Sequence, residues 1–206
     1  AGSVDVPEHI YRPLLAVALA AAAARYLFWP QLDAIKSSAP PSVHSPVSSR
    51  KAQGMMSRPT VVVLAAGKGS RFKGSAHKLE QSLGDLSVLG RTLRNAIESH
   101  LPVVVVTTQP LATSAADVIA ARDVVVVPQA LAALGMGHSI SAGIAARADA
   151  PGWLLLPGDM PMVRPATLLA VAAALEHHPV AYAQYQGRRG HPVGFAAELY
   201  SELMML

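Results

Sequence analysis

Three stretches of this chain combine residue types and spacing that could do chemistry. The first is Ala65-Ala66-Gly67-Lys68-Gly69-Ser70, followed by Arg71, Lys73 and Lys78. Small residues let a backbone fold tightly and come close to a ligand, and successive amide N–H groups in such a turn can converge on an anion. With cationic side chains arriving within twelve residues of Gly67, the stretch outlines a phosphate site. The second is Pro157-Gly158-Asp159-Met160-Pro161, where the carboxylate of Asp159 could hold a hard cation. Mg²⁺ is commonly bound by one or two carboxylates together with phosphate oxygens. A lone aspartate in such a place is also an ordinary turn or capping residue, so its meaning depends on the first stretch. The third is Gly187-Arg188-Arg189-Gly190-His191-Pro192-Val193-Gly194-Phe195. Between a glycine and a proline, His191 is expected to have a fixed backbone and little steric cover, which suits hydrogen bonding to a phosphate or a ring edge; a turn histidine is the plainer alternative. A weaker small-residue turn runs from Pro128-Gln129 to Gly135-Met136-Gly137-His138-Ser139.

Something must position these side chains. Val61, Val62, Val63 and Leu64 form an unbroken apolar run, as expected of a strand buried on both faces. Further strands are predicted at 103–107, 124–127, 153–156 and 180–183, and helices at 88–97, 142–148 and 165–175. Strand and helix in alternation predict right-handed βαβ units: a three-layer α/β domain with a mostly parallel central sheet. Such sheets bind ligands at the carboxyl ends of their strands, and each chemical stretch follows a predicted strand.

Composition limits the alternatives. With 206 residues, 51% of them hydrophobic, the chain can bury one good core. The net charge of +4 belongs mostly to the first 58 residues, which carry 6 Lys and Arg against 3 Asp and Glu, while the remainder carries 11 against 10. A near-neutral domain gives no electrostatic reason to expect nucleic acid as a partner. Zero cysteines exclude disulfides and thiolate chemistry and suit a reducing cytoplasm. Residues 1–36 form an N-terminal extension with a helix expected at 13–27, whose apolar run from Pro13 to Ala24 falls short of the roughly 20 residues a membrane span needs. A Ser/Pro-rich linker is expected at 37–58, too poor in large apolar side chains to order itself, and the domain proper at 59–206. Met55 and Met56, just before the first strand, are an expected alternative start of translation.

Spacing narrows the phosphate site. A dinucleotide fingerprint would need a third glycine where Phe72 stands, and no G-x-x-x-x-G-K-[ST] string occurs. The string from Leu64 to Arg71, L-A-A-G-x-G-x-R, with Lys78-Leu79 after it, resembles the signature of nucleoside-triphosphate transferases. Within them it is most similar to the MobA-like molybdenum cofactor cytidylyltransferases and their guanylyltransferase relatives. The resemblance implies a Rossmann-like nucleotidyltransferase fold and transfer of a nucleotidyl group to the phosphate of molybdopterin, with release of pyrophosphate. It assigns Leu64, Ala65, Ala66, Gly67, Lys68, Gly69, Ser70, Gln129, Gly135 and Ser139 to the nucleotide, Arg71 and Lys78 to charge neutralisation, and Asp159 to Mg²⁺. Gly190, His191 and Pro192 fall to the acceptor. Ala65-Ala66-Gly67 sides with relatives that use CTP, whereas those that use GTP tend to read L-A-G-G. A molybdenum hydroxylase would then receive the product, in the cytoplasm and with no membrane involved. Two alternatives stay open: a transferase acting on a sugar or alcohol phosphate, and a nucleotide-binding protein without turnover. The resemblance covers residues 60 to about 200, and the family's second acidic motif, of G-D-x-G type, is not met before Leu206, so a C-terminally truncated domain is expected.

Overall fold

The valine run of the first strand lies at the centre of the molecule. The computed structural model describes residues 58–67 and 78–206, all within the unit Ser57–Leu206. The expected helix at 13–27, the linker before Arg58, and Lys68, Gly69, Ser70 and Arg71 lie outside the described residues.

In chain order the strands are β1 (Thr60–Ala65), β2 (Ser82–Leu83), β3 (Leu86–Ser87), β4 (Val103–Thr107), β5 (Val124–Val126), β6 (Gly152–Pro157), β7 (Val180–Tyr185) and β8 (Arg188–Ala196). The helices are α1 (Val88–Glu98), α2 (Gln109–Ala116), α3 (Gln129–Leu134), α4 (Met136–Ala145), α5 (Pro165–Ala174) and α6 (Tyr200–Met204). β2 and β3 make a small ribbon, and the other six strands form one sheet in the order β5-β4-β1-β6-β8-β7. β1 pairs in parallel with β4 and with β6, Val62 facing Val104 on one side and Leu155 on the other. Being hydrogen-bonded on both edges and covered on both faces, it can use β-branched residues throughout.

Side chains alternate across this sheet and build two apolar layers. Val61, Val63, Leu154 and Leu156 point into the core shared with Leu89 and Leu93 of α1, Leu111 of α2, and Leu168 and Val171 of α5. The opposite face takes α4, where a Cβ on Gly143 would come within 2.4 Å of Val62 Cγ1, so only glycine lets this helix settle so close. On the same face Trp153 stacks obliquely on Tyr200, with ring centroids 5.8 Å apart. α1 starts where its sequence specifies, with Ser87 Oγ accepting from the N–H of Gly90 at 3.0 Å as its cap.

The α/β architecture with a mostly parallel sheet is as expected, and the largest departure falls at one edge. β8 runs antiparallel to β6, with Leu155 facing Val193, and β7 runs antiparallel to β8. The Gly190-His191-Pro192-Val193 motif therefore lies inside a strand instead of after one. Pro192 has no N–H to give a ladder, and a register irregularity between Tyr182 and Gln184 lies on the strand opposite. Gln186 and Gly187, both at positive φ (48° and 78°), close the hairpin in the manner of a type I′ turn. β5 ends at Val126 and not 127, β7 extends past 183 to Tyr185, and the helix expected at 142–148 begins instead at Met136 and ends at Ala145. Gly137 and Gly143 lower the local helix propensity there, which hid its first two turns.

Candidate functional site

The exits of β1 and β6 are tied together. Gly158 N donates to Leu64 O at 2.8 Å, which sets the residue before Asp159 against the end of the strand that leads into Gly67. A Cβ on Gly158 would stand 3.2 Å from both Ala65 Cβ and Leu64 O, tighter than a side chain ordinarily tolerates. Ala65 and Ala66 are buried and small, while Gly67 faces open space. Across this joint Lys78 Nζ donates to Asp159 Oδ2 at 2.7 Å. Two residues 81 positions apart in sequence thus meet at the carboxyl edge of the sheet, with side chains 49% and 24% exposed and open to a ligand.

Helix α1 holds the aspartate loop through two polar side chains that the sequence reading did not single out. The Thr92 hydroxyl, fully buried, directs its one proton between Val88 O at 3.0 Å and Gly158 O at 2.9 Å. Asn95 Nδ2 donates to Pro161 O at 2.8 Å and to Val163 O at 3.0 Å. Together they fix the chain on both sides of Asp159. The one available signal was their spacing of three on an otherwise apolar face, which puts them on one side of the helix. Thr92→Val is expected to leave the Gly158 carbonyl buried without its donor and to lower stability by about 1–3 kcal/mol, while Thr92→Ser stays near wild type. Chemical denaturation of the three proteins checks this.

His191 departs from expectation. It is buried, 5% exposed, rather than open to solvent, because β8 places it on the face of Val193 beside the exit of β6. Burial lowers its pKa from the ordinary 6.5, against opposing contributions from a hydrogen bond with the Leu155 backbone and from the charge of Asp159. The ring is therefore held neutral, and Asp159 lies close enough for its charge to be felt. Since the unfolded chain takes up the proton at higher pH than the folded one, stability should fall as pH drops below about 6.5 towards the folded value. Melting temperatures between pH 7.5 and 5.5 should fall more steeply for wild type than for His191→Gln.

The remaining expected residues spread along the same edge. Gln129 is exposed at the first residue of α3, Gly135 (φ 154°) separates α3 from α4, and Ser139 is buried one turn before Gly143. Gly190 and Pro192 flank His191 in β8. Asp159 is a single carboxylate: no group of three or more metal-liganding side chains occurs among the described residues. That donor set fits an ion that draws its other ligands from phosphate and water, as Mg²⁺ does, and does not fit an all-protein cage.

Residues 61–206 match the MobA-like NTP transferase domain. The chain belongs to this family. The solved structures similar to this MobA-like domain include Rv0371c from Mycobacterium tuberculosis H37Rv, at 29% identity and TM-score 0.62 over 73% of this chain and 77% of that one. A nucleotidyl transferase from Methanothermobacter thermautotroptrophicus superposes with TM-score 0.56 at 25% identity, over 72% and 76%. Among curated proteins, the bifunctional protein GlmU of Corynebacterium aurimucosum is 35% identical over 113 residues, 52% of this chain and 23% of that protein. The MobA-like domain thus spans about a quarter of the length of that relative. Among the described residues no helix is long and apolar enough to cross a membrane.

Proposed function

We propose that this MobA-like domain is a nucleotidyltransferase that couples a nucleoside triphosphate, CTP in preference to GTP, to the phosphate of molybdopterin or the molybdenum cofactor. The observation that carries this reading is the 2.7 Å pairing of Lys78 with Asp159 at the joined exits of β1 and β6, the first of which leads into Gly67. A cation and a carboxylate held together beside a strand exit of small residues, Ala65, Ala66 and Gly67, suit a metal-bound triphosphate.

In the reaction an acceptor phosphate oxygen attacks the α-phosphorus, the bond from that phosphorus to the bridging oxygen of the β-phosphate breaks, and pyrophosphate leaves with the electron pair. The protein's work is positioning and charge neutralisation. Ala65, Ala66 and Gly67, with Lys68, Gly69, Ser70 and Arg71 after them, bind the phosphates; Lys78 neutralises the charge at the α-phosphate; Gln129, Gly135 and Ser139 lie towards the base. Asp159 would hold Mg²⁺, which supplies Lewis-acid neutralisation of the departing pyrophosphate. A Rv0371c structure is described as a complex with manganese, at 29% identity and TM-score 0.59, which supports a divalent ion here. Gly190, His191 and Pro192 stand on the acceptor side, His191 shaping the site from beneath. The cytoplasm supplies the triphosphate, and a molybdenum hydroxylase is the recipient.

The burial of His191 favours a second reading, in which the acceptor is a sugar or alcohol phosphate that makes no contact with the imidazole. Pyrophosphate release measured with each of four triphosphates, with molybdopterin and with a panel of sugar phosphates, separates the two. The first reading expects release with CTP and molybdopterin. Release with a sugar phosphate alone selects the second, and none with any pair overturns both.

A further inference from the structure

The β7–β8 hairpin projects beyond the carboxyl edge on which the Lys78–Asp159 pair stands. β8 meets β6 with Val193 opposite Leu155, where their ladder ends; His191, two residues earlier, lies close enough to Asp159 to feel its charge, and Arg189 precedes it by two more. Tyr182 pairs with Val193 and Gln184 with Arg189, and Tyr182 and Gln184 lie two apart on β7, so Arg189 and Tyr182 share one face of the hairpin. The guanidinium carbon of Arg189 sits 4.8 Å from the Tyr182 ring centroid. An arginine seated on an aromatic face keeps its plane fixed while the N–H donors at its edge stay free for a second partner. Among the described residues no carboxylate pairs with Arg189, nor with Arg58, Arg164 or Arg188, whereas Arg91, Arg94, Arg122 and Arg147 each have one, so what sets Arg189 apart is its seat on the Tyr182 ring. Its neighbour Arg188 is also exposed, but alternation turns it to the other face.

We propose that Arg189, braced on Tyr182, is the side chain that grips the acceptor's phosphate. The inference rests on the nucleotidyltransferase reading above for what the second ligand is, and it adds the side chain that recognises that ligand's phosphate. A planar guanidinium takes a phosphate in a two-point, charge-assisted hydrogen bond, which a lysine or an unbraced arginine matches less well. The attacking oxygen belongs to that same phosphate, so the grip also orients the nucleophile.

The test is calorimetric titration of inorganic phosphate into the full chain with Mg²⁺ and a saturating non-hydrolysable CTP analogue, so that the triphosphate site is already filled. Arg189→Ala is expected to weaken phosphate binding at least tenfold, Arg189→Lys to fall between, and Arg188→Ala to change it less than twofold. Wild-type affinity in Arg189→Ala, an equal loss in Arg188→Ala, or no phosphate binding beside the nucleotide would each overturn the assignment. The nucleotide titration that precedes it reports separately on the nucleotidyltransferase reading. Should the analogue fail to bind, that reading falls, while phosphate titrated into the unliganded wild-type and Arg189→Ala proteins still decides the role of Arg189. Thermal melts confirm that these exposed substitutions leave the fold intact.

Discussion

Asp159→Asn is expected to lower pyrophosphate release by at least about 100-fold at saturating nucleotide, with the fold intact. The structure brings this carboxylate to the joined exits of β1 and β6, and a metal's neutralisation of transition-state charge contributes several kcal/mol, each 1.36 of which is tenfold in rate. Asparagine keeps the volume and the loop geometry, so Thr92 and Asn95 still hold the chain on either side. The lost ion pair matters little to stability, because both partners are partly exposed and such pairs contribute about 0–1 kcal/mol. Steady-state turnover and a thermal melt make the check. Activity within threefold of wild type would remove Asp159 from the mechanism.

Lys78→Met should reduce turnover by about 10²–10³-fold, the range found when one preorganised charge-stabilising group is removed from a transition state. Arginine at this position should restore part of the loss, since it keeps the charge but not the compact point contact of an ammonium. A second readout separates the two residues. In the ligand-free protein the ammonium sits on the carboxylate at 2.7 Å and competes with any metal for it. Mn²⁺ titrated without nucleotide, followed by electron paramagnetic resonance, should bind Lys78→Met more tightly than wild type and Asp159→Asn more weakly. Equal affinities in all three would show that the carboxylate is not the metal's ligand.

The parts of this site that were legible in the sequence are those in which chemistry and strand pattern coincide. The run of Val61, Val62 and Val63 announces a doubly covered strand, and its exit through Ala65 and Ala66 lies beside Gly158 as the small residues there allow. Asp159 follows another apolar run, and both exits prove to be hydrogen-bonded to each other. What could not be read was direction. Val180, Ala181 and Tyr182 look the same whether their strand runs with the sheet or against it, so the antiparallel edge emerged only from pairing. His191 sits among glycine, proline and arginines, a composition that signals a loop, yet tertiary pairing with β6 overrides it and buries the ring. Thr92 and Asn95 were invisible for a different reason. A polar residue on a helix usually faces water, and nothing local distinguishes one that reaches a carbonyl 66 residues away.

The closure of the β7–β8 hairpin has a consequence for how such a domain can diversify. Its two strands and its turn are contiguous in sequence, and β7 has only β8 as a neighbour in the sheet. Lengthening or shortening the exposed tip from Gln184 to Arg188 therefore leaves β1 and the helix that anchors the aspartate loop in place, whereas Ala183, just before it, packs against the core. One side of the edge that carries the Lys78–Asp159 pair is thus built from strands flanked on both sides, while the other ends in a hairpin whose exposed tip, from Gln184 to Arg188, is open to insertion.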